Sequence, residues 1–142
     1  MLLETTTRPT ILLAEDDPNV RDTLADLLAL TGALVQAVPG GHEARQVLET
    51  RPIDLIVTDM IMPDGDGKWL MDFVRSTPRF SHLRIIMLSA HVDARDVAAG
   101  LSAGADAYLT KPFDVEKLLA TVSHWLRQPP RSAAGGGAPG GS

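Results

Sequence analysis

Residues 11–28 read ILLAEDDPNVRDTLADLL. Four apolar residues, Ile11 to Ala14, run without a polar interruption, and three acids follow. An unbroken apolar run suits a strand covered on both faces, since a half-exposed strand would alternate. Asp17 then supplies a capping side chain, and Pro18 a first helical residue whose missing N–H costs nothing. Val20, Leu24, Leu27 and Leu28 share one helical face, and Gly32 suits the stop. The segment is a strand followed by a helix, with Glu15, Asp16 and Asp17 at the junction.

The same alternation repeats along the chain. Further apolar runs are Ala33–Val35, Leu55–Val57, Ile85–Leu88 and Ala107–Leu109. Between them the spacing predicts helices over about 41–50 (Ala44, Val47, Leu48), 67–76 (Leu70, Met71, Val74) and 94–103 (Val97, Leu101). A fifth helix is predicted from the cap Asp114, burying Val115, Leu118, Leu119, Val122 and Leu126. Five strands alternating with five helices imply right-handed βαβ units and a parallel sheet, an α/β fold.

The remaining sequence sets the limits. The chain has 142 residues, one domain's worth. Residues 1–8 are expected to be loose, residues 9–127 to form the folded body, and residues 128–142 to be a Gly/Pro-rich tail or linker. The tail, QPPRSAAGGGAPGGS, has no large apolar side chain with which to join a core. The net charge of -5 argues against non-specific binding to nucleic acid or anionic lipid, which need a basic field. The absence of cysteine excludes disulfides, thiolate metal sites and cysteine nucleophiles. No stretch approaches the ~20 apolar residues of a membrane span, and none reads as a signal peptide, so the expected location is cytoplasmic.

In a parallel α/β sheet the ligand site lies outside the carboxyl ends of the strands. The first run ends in Glu15-Asp16-Asp17, the third in Thr58-Asp59, the fourth in Ser89-Ala90 and the fifth in Thr110-Lys111-Pro112. Singly these residues mean little: Asp17 reads as a helix cap, Ser89 as a loop hydroxyl, Lys111 as a solvated charge, Asp54 as a strand-start polar residue. Together, Glu15, Asp16 and Asp59 cannot all stay ionised without a cation, because like charges raise each other's pKa. A hard divalent ion with oxygen ligands, Mg²⁺, resolves the conflict. Carboxylates, a hydroxyl and a lysine around Mg²⁺ make a phosphoryl-transfer site.

Four segments carry a resemblance to a known family: ILLAEDDPNVR (11–21), DLIVTDMIMPDGDG (54–67), IIMLSA (85–90) and GADAYLTKPF (104–113). Over about residues 10–127 the chain resembles the receiver domain of two-component response regulators, the CheY-like family. The resemblance implies a flavodoxin-like, doubly wound five-stranded parallel sheet in the order 2-1-3-4-5. It implies that Asp59 is the phosphorylated aspartate and Asp16 the direct Mg²⁺ ligand, with Glu15 acting through water and Ile61 offering its backbone carbonyl. Ser89 matches the switch hydroxyl, Lys111 the lysine that contacts the phosphoryl group, and Tyr108 the aromatic switch. The Lys111-Pro112 bond matches one that is usually cis in the family. The acidic pair is Glu-Asp rather than Asp-Asp, and the switch hydroxyl is Ser rather than Thr. Neither departure removes a functional group.

The resemblance further implies a phosphoacceptor switch rather than a substrate-turning enzyme. Its donor would be a histidine kinase or a histidine phosphotransfer protein. Its output face would be the fourth helix, fifth strand and fifth helix (93–103, Tyr108, 114–127), open to homodimerisation or an output partner. Direct DNA binding is not expected, since no helix-turn-helix or basic recognition surface follows the fifth helix. In the family, the side chains two residues after the aspartate and two after the switch hydroxyl border the hydrolytic water. Here they are Ile61 and His91, and apolar Ile61 implies slow self-dephosphorylation.

Other readings fall away on the residues. Gly65-Asp66-Gly67-Lys68 lacks the spacing of a phosphate loop, and residue 69 is Trp. His42, His82, His91 and His124 have no ligand spacing, and Met60 and Met62 read as loop packing. A Mg²⁺-dependent hydrolase of the aspartyl-phosphate type needs an acid two residues after its nucleophile, where Ile61 stands. A scaffold without phosphorylation would be expected to lose Asp59 or Lys111.

Overall fold

The computed structural model describes residues 8–62, 66–90 and 94–131. Strands and helices alternate: β1 (Thr10–Ala14), α1 (Pro18–Ala29), β2 (Leu34–Val38), α2 (Gly41–Thr50), β3 (Leu55–Asp59), α3 (Gly67–Ser76), β4 (Arg84–Ser89), α4 (Ala94–Ala103), β5 (Ala107–Thr110) and α5 (Val115–Arg127). The sheet is wholly parallel, in the order β2-β1-β3-β4-β5. Every strand therefore delivers its carboxyl end to the same pole.

The unbroken apolar runs are explained by the two layers. Leu12, Ile56, Ile85 and Met87 point to one face, where they meet Ala44 and Leu48 of α2 and Leu70, Met71 and Val74 of α3. Their neighbours Ile11, Leu13, Leu55, Val57, Ile86 and Leu88 point to the other, against Leu24 and Leu28 of α1 and Leu118 and Val122 of α5. A strand between two helix layers must be apolar at every position.

The helix ends follow their sequence signals. The Asp17 carboxylate accepts from the backbone N–H of Asn19 at 2.9 Å and Val20 at 3.3 Å, and Pro18 opens α1. Past α1, Gly32 takes φ +91°, a conformation that favours glycine. Asp114 caps α5 in the same way, through Glu116 N at 2.8 Å.

Four expectations need adjusting. The second strand is Leu34–Val38 and lies at the sheet edge, so Leu34 is exposed where a covered strand was expected. Leu101 is exposed too: Gly100, one position earlier, faces β5, where a side chain would meet the Tyr108 ring. Val115 is exposed with its neighbours Asp114, Glu116 and Lys117, so the first turn of α5 stands clear of the core. The folded body also continues past Arg127, because Gln128–Arg131 lie back against it: Arg131 N donates to His82 O at 3.0 Å and Arg84 to Pro129 O at 2.9 Å. Residues 1–7 and 132–142, on which the loose start and most of the tail were placed, lie outside the described residues.

Candidate functional site

β1 runs straight into the site. Glu15 N donates to Val38 O at 3.0 Å, carrying the β1–β2 pairing one residue beyond Ala14. This draws Glu15 into the interior, 2% exposed, while Asp16 stays exposed. The Arg21 guanidinium, one turn into α1, donates to the carbonyls of Glu15 at 3.0 Å and Asp16 at 3.4 Å and braces the acidic turn. Asp59 is the last residue of β3. Carboxylate oxygens of Glu15, Asp16 and Asp59 all lie within 4.8 Å of one another.

Lys111 answers two of them. Lys111 follows β5, and its N–H donates to Ser89 O at 2.7 Å. The Lys111-Pro112 bond is cis. Lys111 Nζ donates to Glu15 Oε1 at 2.9 Å and to Asp59 Oδ2 at 3.1 Å. The second Glu15 oxygen accepts from Asp17 N at 3.1 Å. Burial pushes the Glu15 carboxyl above its ordinary range, the Lys111 and Asp17 hydrogen bonds pull it back in part, and the charge on Asp59 pushes the same way as burial. Burial disfavours the Lys111 ammonium, but its bonds and attraction to Glu15 and Asp59 outweigh that and hold its pKa above the usual lysine value. Three carboxylates to one lysine leaves negative charge in excess, and an all-oxygen donor set suits a hard divalent cation. These residues fit Mg²⁺.

The other expected residues stand around this centre. Ser89 ends β4, buried at 1% exposure; its strand neighbour Leu88 is register partner to Asp59. Ile61, two residues past Asp59, is 59% exposed at the mouth of the loop. Tyr108 is half-buried, its ring lies over the Gly100 backbone, and its hydroxyl donates to Met60 Sδ at 3.3 Å. Tyr108 thus touches the residue next to Asp59. Residues 91–93, including His91 and the start of the expected output face, lie outside the described residues, as does 63–65.

The roles of four contributors were not read from sequence. Arg21 is one. Gly67 is another: its N–H donates to Met60 O at 2.9 Å, and a Cβ there would overlap the Asp59 carbonyl oxygen. The Gly65-Asp66-Gly67 run was a visible signal of such a close approach. Gly100 and the Met60 sulfur, which frame Tyr108, left no signal, because their roles depend on a contact across the fold.

Residues 11–123 match the family model described as the response regulator receiver domain. The chain belongs to this family. Among curated relatives it is 40% identical over 118 residues to the transcriptional regulatory protein GltR of Pseudomonas aeruginosa, covering 83% of this chain but 49% of that protein. The chain thus spans about half the length of GltR. It is 37% identical to a 14.6 kDa protein of Leptolyngbya boryana, covering 90% of this chain and 98% of that one. Among solved structures, a putative response regulator from Chloroflexus aurantiacus superposes with a TM-score of 0.78 at 34% identity, covering 86% of this chain and all of that one. The receiver fold, its doubly wound strand order and its place in two-component signalling are therefore properties of this chain. None of the described helices is long and apolar enough to cross a membrane.

Proposed function

We propose that the domain is a phosphoacceptor switch whose acceptor is Asp59. The observation that carries this reading is the juxtaposition of Lys111 Nζ, 3.1 Å from Asp59 Oδ2, with Glu15 and Asp16 clustered on the same carboxylate. An Asp59 oxygen attacks phosphorus of a phosphohistidine on a histidine kinase or phosphotransfer protein. The new O–P bond forms as the N–P bond breaks, and the freed imidazole takes its proton from water. Asp16 and Asp59, with Glu15 through water and the Ile61 carbonyl, would hold Mg²⁺, which supplies charge neutralisation for the transferring oxygens. Lys111 then exchanges part of its bond to Asp59 for a phosphoryl oxygen. Ser89 hydrogen-bonds another, and Tyr108 follows, altering the face made by α4, β5 and α5. That face serves a second copy or an output partner. The acidic body offers DNA no docking surface, and the domain works in the cytoplasm.

The stoichiometry of acetyl phosphate consumption tests this reading against its rivals. A receiver consumes about one equivalent per chain in a fast phase and then turns over only at its slow self-dephosphorylation rate. Sustained turnover would indicate a hydrolase, and no consumption a scaffold.

A further inference from the structure

At the amino ends of β4 and β5, the pole opposite Asp59, a single carboxylate gathers three arginines. Asp106, its side chain 5% exposed, accepts from Arg75 at 3.1 Å, Arg84 at 3.0 Å, Arg131 at 3.1 Å and the backbone N–H of Ile85 at 2.8 Å. The Gly104 carbonyl accepts from Arg75 Nη2 at 2.7 Å and from Arg131 at 3.1 Å. Arg84 also donates to Pro129 O and lies over the Trp125 ring, 4.9 Å from its centroid. The segment after α5 is thereby fastened to the loop between α4 and β5.

We propose that residues 128–131 are a releasable clasp, and that occupancy of the Asp59 site changes how firmly this segment is held to the body. This rests on Asp59 being the phosphoacceptor. Two observations carry it. The first is a continuous line of contacts. Tyr108 donates to Met60, beside Asp59; its ring packs on Gly100; the Gly100 carbonyl accepts from Ala105 N at 3.1 Å; and Ala105 lies between the two residues, Gly104 and Asp106, that hold Arg131. A shift of Tyr108 or α4 therefore reaches the clasp without crossing solvent.

The second is that Arg131 is the dispensable member of its cluster. If it leaves, Asp106 keeps Arg75, Arg84 and Ile85 N, so no buried charge is orphaned. Arg131 also approaches two guanidiniums of its own sign. Burial lowers the Arg75 pKa to about 10, and the charge of Arg131 pushes the same way. The Arg131 side chain is one-third exposed, so water replaces its lost bonds at little cost. The attraction of Arg131 to Asp106 is thus set against repulsion from Arg75 and Arg84, which favours release.

The test uses the full 142-residue chain with Mg²⁺ and beryllofluoride, a mimic of the acyl phosphate. Amide hydrogen exchange at Arg131, whose N–H is held by His82 O, should quicken about fivefold on beryllofluoride binding, the low end of allosteric couplings. By reciprocity, Arg131→Ala, which leaves the Asp59 site intact, should raise the apparent affinity for beryllofluoride by the same factor. Protection that changes around Asp59 while exchange at Arg131 and the affinity of the variant stay fixed would overturn the clasp alone. No response to beryllofluoride anywhere would overturn the Asp59 reading and the clasp with it.

Discussion

At the carboxyl ends of the strands three carboxylates cluster and Lys111 bonds two of them, whereas at the amino ends three guanidiniums share one carboxylate. The two poles belong to the same sheet and use the same chemistry in opposite proportion. The first leaves anionic charge uncompensated beside a buried Glu15, which is unfavourable until a cation arrives. The second surrounds a buried Asp106 with more donors than it needs, which is stable by itself and ties α3, β4, α5 and the chain beyond to one point. The proposed phosphoacceptor site lies where compensation is incomplete, and the proposed clasp where it is in surplus.

This contrast can be broken most forcefully at Asp106. Asp106→Ala leaves three arginines facing one another without their counter-ion and should cost about 3–5 kcal/mol of unfolding free energy, measured by urea denaturation. A loss under ~1 kcal/mol, the range of exposed pairs, would mean that the cluster does not organise that pole.

The opposite pole should respond to metal. Mg²⁺ at ~10-fold excess over its dissociation constant should add about 1.4 kcal/mol, seen as a raised melting temperature. Asp16→Asn should abolish most of this gain and also raise the stability of the metal-free protein by relieving repulsion. A variant that responds like the wild type would remove Asp16 from the ligand set. A smaller change is expected at Ile61, whose exposed apolar side chain cannot orient water. Ile61→Asn should speed loss of the phosphoryl group on the order of threefold, or ~0.65 kcal/mol of barrier. Unchanged decay, followed by mass spectrometry, would contradict that role.

The gentlest probe is pH. The Glu15 carboxyl is raised in the folded state, so folding favours its protonated form, and its contribution to stability is greatest below pH ~4.5 and falls as pH rises. In metal-free buffer the melting temperature of the wild type, relative to Glu15→Gln, should therefore decline from pH 4.5 to 7. A rising difference would show Glu15 to be over-compensated by Lys111.

The two poles were unequally legible in the sequence. Glu15, Asp16, Asp59, Ser89 and Lys111 each follow or close an apolar run, and a parallel sheet sends all those ends to one place, so the runs and the strand-end rule together pointed to this pole. Arg75, Arg84, Asp106 and Arg131 end a helix, start a strand, precede a strand and follow a helix. No spacing rule links them; only the packed fold does. The Gly/Pro-rich composition after Arg127 also concealed Arg131, whose charge docks where no apolar side chain could. Val115 and Leu101 misread for a related reason: periodicity marks a helical face, but whether a given turn is covered depends on what lies opposite it.

The central claim is that the under-compensated pole exists to receive a phosphoryl group on Asp59. Intact-mass spectrometry after incubation with acetyl phosphate and Mg²⁺ tests it most directly. One phosphoryl group per chain should appear on the wild type and be absent from Asp59→Asn, while the same label survives Arg131→Ala at the other pole. Undiminished labelling of Asp59→Asn would contradict the account.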